Sequence, residues 1–569
     1  MLISKLLGER YKERPSDATL ISHVFLLRGG YIRQVSNGIF SLLPLGLNIA
    51  RKIENVIRLE MNAIGAEEVL LPVALPAELW KESGRYDSVG EELLRFSDRT
   101  GRQMLLGMTH EEAAVHLARS EIKAHTQLPL YIYQIQTKYR DEPRPRGGLV
   151  RVREFVMKDG YSFHASQEDL ERCYSETMAA YERIFKACGL KNMLVVSSDT
   201  GMMGGKTAHE FMLLSEGGED SLVLCERCSY RSNMDVAESQ LLPGEPSGMS
   251  RAEVHTPGIT DIAALAAFLK ISEKDVAKAA VFKRADTSAP VVVFLRGDLE
   301  VNETKLQRAA GCTILPAVPE DNLPLCLGYV GVLGIQEGEA EVYYDRSLEG
   351  MKGFVTGANK VDYHMTGVDI EECSVHRFLD LAKVREGDLC PVCSSPLTIK
   401  RGIEVGNIFQ LGDRYTKAMG MTYTDEHNEQ RIPLMGCYGI GVGRLLACVI
   451  EDNHDEYGPV WPRRIAPYDV HICCLSGRDM DIADYADKLY GDMSALYDVI
   501  MDDRAASAGV QFADADLIGA PIRVILSRKN MDKGVAEIVF RNSKRSNEIP
   551  LGDLKDFLKT LLESETEPV

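Results

Sequence analysis

The sequence predicts a multidomain α/β protein: an antiparallel-sheet core with helices, an α/β domain inserted into that core, and a separate α/β module at the C-terminus. Three observations predict it. At roughly 150 residues per domain, a chain of 569 residues is too long for one compact core. Residues 94–160 hold four strand-like segments joined by turn formers (LRFSD, RQMLLGM, LPLYIYQIQTKYR, LVRVREFVMKDGYSF), the pattern of an antiparallel sheet. From 469 onward DVHICCL, a helical stretch, DVIMDD, a second helical stretch and PIRVILS follow in turn, which is a βαβ-like alternation.

Each element has its own signal. From Leu42 to Glu60 apolar residues recur at helical spacing until Gly65 stops them, and the apolar run ending at Pro72 reads as a strand. A second helix is expected over Glu168 to Cys188. Composition shifts near 220, and between about 250 and 385 helix and strand patterns alternate independently. The domain plan is therefore core over 1–222, insertion over 223–398, core again over 399–462 and C-terminal module over 463–569, closed by a short acidic tail.

Charged residues at 26% and hydrophobic residues at 45% exclude wholesale disorder. Lys+Arg 65 against Asp+Glu 84 leaves a net charge of -19, so a nucleic-acid partner must be met by local basic patches. Apolar runs such as Ile262–Leu269 are far shorter than the roughly 18 residues a membrane span needs. With no signal-peptide core at the start and 13 scattered cysteines, a soluble protein of the reducing cytoplasm is expected.

Three motif-like strings fail on spacing. GMMGGKT at 201–207 has Thr200 where a phosphate-binding loop needs its first glycine. THEEAAVH sets His110 and His116 six apart, where a helical zinc site needs four. GIGVGR at 439–444 ends in Arg444 instead of glycine and follows a polar segment with no clear strand.

The stretch from Lys138 to Lys158 holds seven basic and three acidic residues around the loop DEPRPRGG. On a hairpin Arg140 and Glu142 share one face, as do Arg151, Arg153 and Phe155, so guanidinium groups and an aromatic plane converge. That combination calls for an anion with a flat ring, a nucleotide.

These residues resemble motif 2 of class II aminoacyl-tRNA synthetases, Arg-x-Glu followed after a loop by Arg-x-x-x-Phe. GIGVGR resembles motif 3, and the segment from Gly46 to Pro72 resembles motif 1. The strings MTHEEA, QLPLYIYQIQTKYRDE, GIEVGNIFQLGDRYT, MGCYGIGVGR and ADADLIGAPIRVIL are similar, end to end, to bacterial-type prolyl-tRNA synthetases.

The resemblance implies ATP-dependent attachment of L-proline to tRNA(Pro) through prolyl-adenylate, by a homodimer formed through motif 1. Arg140 and Arg444 are the implied catalytic residues, gripping the α- and γ-phosphates. Glu142, Arg151, Phe155 and Gln410 join them around ATP. Thr109, Glu111, Arg140 and His209 are implied for proline, the Glu111 carboxylate receiving its secondary ammonium. Glu404 is the candidate Mg2+ ligand, beside Asn407 where the family usually carries His.

The insertion resembles an editing domain that hydrolyses mischarged alanyl-tRNA(Pro), through HTPGITDIAALAAFL and GANKVDYHMTGVD. Such a site has a physical motive, because a pocket for proline rejects alanine by only roughly 1–3 kcal/mol per missing methylene. Lys278 and His364 match its functional residues, and Val332 stands where the family's loop usually has proline. Cys225, Cys228, Cys390 and Cys393 form two CxxC pairs that would meet at the base of the insertion. Structural Zn2+, metal-free reduced thiols and a redox role all remain open for them. The C-terminal module resembles an anticodon-binding domain, with Arg523, Arg528, Lys529 and Lys533 as candidate phosphate contacts. The rival readings are an inactive tRNA-binding paralogue, disfavoured by the presence of Arg140, Arg151 and Arg444, and a free-standing hydrolase, disfavoured by the ATP motifs.

Overall fold

The computed structural model describes residues 1–16, 18–205, 207–241, 248–336, 338–373, 375, 377–477 and 479–564. Lys206 of the phosphate-loop-like string and the tail from 565 lie outside the described residues. Two compact units emerge: residues 1–195, 200–219 and 402–569 form one, and residues 196–199 with 220–401 form the other.

An antiparallel sheet organises the first unit. Its central strands are β1 (Leu130–Tyr139), β2 (Glu154–His164), β3 (Thr207–Leu214), β4 (Leu397–Gly412, in this unit from Gly402) and β5 (Leu434–Gly441). Across the sheet the order is β3, β4, β5, β2, β1, and then the two-residue strand Glu67–Glu68. That short strand is parallel to β1 and is all the pairing made by the run toward Pro72.

Strand alternation divides the side chains between two faces. Tyr131, Tyr133, Ile408, Tyr438 and Ile440 belong to a core with helices α1 (Pro44–Ala63), α3 (Gln167–Ala187) and α4 (Val442–Asp452). Ile132, Tyr161, Phe163, Phe409 and Cys437 belong to a second core with Trp80, Tyr415 and α2 (Glu111–Glu121). Helix α1 has Pro at its start and buries Leu45, Ile49, Ile53, Val56, Ile57 and Met61 along one stripe, as its spacing predicts. Helix α3 is capped by Ser166, whose hydroxyl accepts the Asp169 amide at 3.2 Å.

Two local expectations are corrected. The segment before GIGVGR is a strand after all: β5 lies at the sheet's centre, between β4 and β2. Glycine weakens the strand signal, yet the packing requires it, since a Cβ at Gly436 would come within 2.1 Å of the Tyr438 hydroxyl. The β1–β2 ladder stops at Tyr139 and Glu154, so residues 140–153 form an irregular loop where two-residue alternation no longer sorts side chains. Arg153 accordingly binds Asp141 and the Glu142 carbonyl.

The C-terminal segment forms its own sheet in the order Val499–Asp502, Val470–Leu475, Ile522–Ser527, Val535–Phe540, Ser546–Pro550. It is packed within the first compact unit. Tyr31 donates its hydroxyl toward the carbonyls of Leu517 and Ile518 at 2.9 and 2.8 Å and accepts from the Trp461 indole at 2.9 Å. At the very start of the chain, Leu2 bridges to Met501.

The second unit contains a five-stranded sheet centred on Ala277–Arg284 and Pro290–Arg296 and a three-stranded sheet of Ala252–His255, Tyr363–Val368 and Phe354–Gly357.

Candidate active site

On the α2 side of the first sheet a cavity of about 150 Å3 is lined by Thr109, Glu111, Arg140, Met157, Asp159, Tyr161, Asn407, Phe409 and Cys437, among others. Its walls are mainly carbon and sulfur, and Glu111 is a fully buried carboxylate within it. One Glu111 oxygen takes a hydrogen bond from the Cys437 thiol at 3.1 Å and the other lies 3.1 Å from the Arg85 guanidinium.

Beneath the cavity Asp159 gathers Lys138 at 2.7 Å, Gln134 at 2.9 Å and Tyr161 at 2.6 Å. The Tyr161 hydroxyl in turn accepts the His110 amide at 2.9 Å, and the His110 ring reaches the Pro72 carbonyl at 2.9 Å. Lys138, Gln134, Asp159, Tyr161 and His110 are all buried, so the network is rigid. Burial pulls the Lys138 ammonium below its ordinary range despite its Asp159 partner.

Arg140 lies at the end of β1, its guanidinium 5.3 Å from the Phe155 ring centroid and its Nε donating to the Met108 carbonyl at 3.3 Å. Burial, and next the positive charge of Arg444, lower its pKa. Arg444 sits in the first turn of α4, donating to the Val150 carbonyl at 2.8 Å and pairing with Glu404 at 2.8 Å. The other Glu404 oxygen accepts from Asn407 at 2.7 Å. Glu142 meets Arg151 at 2.9 Å, and Arg151 also meets Glu219 at 3.0 Å. Arg140 and the buried acids Glu111 and Asp159 thus line an apolar cavity, while Phe155 and Arg444 stand close to Arg140 outside that lining.

Comparison with known proteins identifies the family. Residues 94–453 match the tRNA synthetase class II core domain (G, H, P, S and T), and residues 469–561 match an anticodon binding domain. The chain is 44% identical over 575 residues to a proline–tRNA ligase of Syntrophus aciditrophicus, covering 99% of this chain and 98% of that one. It is 42% identical over 555 residues to the Bacillus subtilis proline–tRNA ligase, covering 96% and 98%. The chain belongs to the proline–tRNA ligase family. In fold it resembles the prolyl-tRNA synthetase of Giardia lamblia solved with prolyl-adenylate, at a TM-score of 0.56 and 15% identity over 93% of this chain and 73% of that one. The Cryptosporidium parvum enzyme, solved with halofuginone and AMPPNP, gives 0.57 and 12% over 98% and 79%.

For a proline–tRNA ligase, two sequence-predicted residues are placed away from the cavity. His209 is paired opposite Ile408 on the α3 face, where its ring bonds the Tyr174 hydroxyl at 2.8 Å. Gln410 turns to the first residue of α3, accepting from Gln167 at 3.1 Å. Both follow from alternation, since neighbouring Phe409 and Ala208 take the cavity side. Arg85 went unnoticed in the sequence because nothing in the polar string SGRYDS marks its arginine as buried.

In the second unit His364 is buried, hydrogen-bonded to Thr256 at 2.7 Å and tilted against Tyr329 at 5.5 Å. Lys278 is half-buried, and burial lowers its pKa while Glu300 and Asp298 oppose the shift. The Val332 amide donates to the Thr356 hydroxyl at 3.3 Å, a bond proline could not make.

The four CxxC sulfurs lie within 4.8 Å of one another, with Cys225 to Cys393 at 3.5 Å and Cys228 to Cys390 at 3.6 Å. Disulfide sulfurs would be about 2.05 Å apart, whereas thiolates about 2.3 Å from a tetrahedral zinc stand about 3.8 Å from each other. In the C-terminal module three of the four candidate phosphate contacts are engaged: Arg523 with Asp516, Arg528 with Asp479 and Asp532, and Lys533 with Glu548. Arg523 is also largely buried, so it is a structural ion pair and not a surface phosphate ligand.

Proposed function

We propose that this chain activates L-proline with ATP and transfers it to the terminal ribose of tRNA(Pro). The observation that carries the reading is the cavity itself, where the Glu111 carboxyl group and the guanidinium of Arg140 line the same apolar space. The secondary ammonium of proline suits Glu111 and Thr109, the ring suits the carbon walls, and the carboxylate suits Arg140. A proline carboxylate oxygen then attacks the α-phosphorus of ATP and pyrophosphate leaves. A ribose hydroxyl of the tRNA end next attacks the prolyl carbonyl and AMP departs.

The first step joins two anions, so the protein's task is alignment and charge screening. Arg140 and Arg444 repel each other, and a phosphate chain lying between them turns that cost into attraction. Phe155 offers its face to adenine, with Glu142 and Arg151 holding the nucleotide's edge. Mg2+ commonly uses one or two carboxylates plus substrate phosphates, and Glu404 beside Arg444 fits that donor set. When bound, the ion neutralises phosphate charge.

The unit of residues 220–401 is assigned the hydrolysis of alanyl-tRNA(Pro), with His364 and Lys278 at the site. Its four cysteines are assigned one structural Zn2+, which their spacing fits. Dimerisation would use the motif 1 segment, where Leu47 and Leu59 of α1 and Leu70 after it are exposed. The thirteen cysteines, all free, suit a reducing cytoplasm, and no described helix is long and apolar enough to cross a membrane.

Amino-acid-dependent exchange of pyrophosphate into ATP tests the reading. Proline should give the strongest signal of the twenty, and Arg140→Ala should abolish it in a folded protein. His364→Ala should keep the exchange while alanyl-tRNA(Pro) persists. Exchange unchanged in Arg140→Ala would remove the active-site assignment, and normal deacylation by His364→Ala would remove the editing site.

A further inference from the structure

Behind Glu111, outside the cavity lining, lies a buried charge cluster that the steps above do not use. Arg85 is 2% exposed and opens a short helix after Gly84, which holds a left-handed φ of 76°. Its guanidinium carbon stands 4.5 Å from the Trp80 ring centroid and 5.5 Å from that of Tyr415, so the group is held against aromatic faces. A single nitrogen, Nη1, serves Thr109 at 3.1 Å, Glu111 at 3.1 Å and Glu112 at 3.2 Å. Nε and Nη2 find no acceptor among the described residues. Glu112 is fully buried and also accepts the Ser83 hydroxyl, at 2.8 Å.

The charge count is unbalanced in an informative way. With both carboxyl groups ionised, one guanidinium against two leaves one negative charge within the cluster, facing Arg140 across the cavity, and a buried net charge is costly unless something compensates it. Arg85 and Glu111 alone would form a closed, neutral pair with nothing left for a cationic ligand. Glu112 prevents that closure, and it does so from a position no ligand in the cavity can touch.

We propose that Arg85 and Glu112 are positioning residues for the amino-acid ammonium: Arg85 fixes Thr109 and Glu111 in place, and Glu112 offsets Arg85 so that the Glu111 charge stays available to substrate. The inference deepens the reading of Glu111 as the ammonium acceptor and rests on it. It also gives the proline step a pH dependence. Burial raises the Glu112 pKa, with Arg85 opposing and Glu111 adding to the rise. Among the described residues the groups acting on Glu112 are those two, with the Tyr415 phenol across Arg85 and Arg414 beyond it. A proton taken up by Glu112 as pH falls removes the surplus negative charge, so proline should bind more weakly in mild acid.

The test is pyrophosphate exchange with the full-length protein, varying proline and ATP separately across pH. Glu112→Gln should raise the KM for proline about tenfold or more, leave the KM for ATP within about twofold, and lose the rise in proline KM at low pH. Glu112→Asp should restore part of the affinity and the pH dependence. Arg85→Lys, which keeps charge but loses the planar group, should also raise proline KM selectively, and it decides the matter if Glu112→Gln does not fold. Unchanged proline KM in the folded variants, or equal rises for proline and ATP, would overturn the proposal. Glu111→Gln is the control: if it leaves proline KM unchanged, the reading of the cavity fails, whereas a large effect there with none at Glu112 and Arg85 sinks this inference alone.

Discussion

Single residues show how strongly burial reshapes chemistry in this chain. His471 lies on the strand Val470–Leu475 between Ile500 and Arg523 of its neighbours, and neither ring nitrogen has a hydrogen-bond partner among the described residues. Burial first, then the positive charge of Arg523, lowers its pKa from 6.5 to about 3. The unfolded chain therefore takes up a proton below pH 6.5 that the folded chain refuses until about pH 3. Stability is lost as pH falls through that window, by up to about 1.4 kcal/mol per pH unit from this one group. Urea midpoints measured between pH 7 and 4 should fall less steeply for His471→Leu than for the native chain, and parallel curves would refute the assignment. The same physics hid Arg85: its role comes from Trp80, Tyr415 and two glutamates that only folding assembles, and SGRYDS carries no pattern that announces it.

At the scale of elements, hydrophobic periodicity was a reliable guide where one face of an element is apolar. Helices α1 and α3 and strands β1 and β2 lie where spacing puts them, because burying a stripe of side chains is what stabilises each. The reading failed where glycine carries the packing. Strand β5 contains glycines at 436, 439 and 441, and its signal is weak because the missing side chains make room for Tyr438 and Asn407. The loop around Val332 behaves in the same way. A Cβ at Gly331 would lie 1.8 Å from the Gly357 carbonyl oxygen, so the loop packs directly on the strand next to His364. Gly331→Ala should therefore force the loop away and reduce alanyl-tRNA(Pro) deacylation at least about tenfold, as small displacements of reacting groups do. Proline-dependent exchange should survive. Deacylation at the native rate would show that this loop does not shape the site.

For the molecule as a whole, the zinc assignment makes the broadest claim. Cys225 ends the strand Asp220–Cys225 and Cys228 follows it, while Cys390 and Cys393 precede β4, so a metal would tie the start of the 220–401 unit to its end. The apolar cluster around them is small, comprising Val223, Met234, Ala237, Val384 and Leu397 beside the cysteines, and small cores commonly depend on such ties. Metal analysis should find one zinc per chain, lost in Cys390→Ser. Chelation should lower the melting temperature and impair deacylation while exchange persists. A metal-free protein whose melting chelators do not alter would remove the zinc.

The residues proposed for the site are legible where they act through local pattern. Arg140, Glu142, Arg151 and Phe155 stand close together in sequence, and the chemistry of a nucleotide dictates their types. Thr109 and Glu111 follow from a short string at the start of a helix. What the sequence could not contain is which side of a strand meets the cavity. That choice sent His209 and Gln410 to the α3 face, because their neighbours Ala208 and Phe409 on β3 and β4 take the cavity side. Nor could it reveal that Arg523 is neutralised by Asp516 or that Trp461 and Tyr31 pack the C-terminal module within the first unit. By itself the sequence determined the family, the reaction class and the residue types at the centre, since these are set by local chemistry. Only the tertiary structure decided orientation, charge balance and packing between modules, because those depend on side chains far apart in the chain competing for the same space.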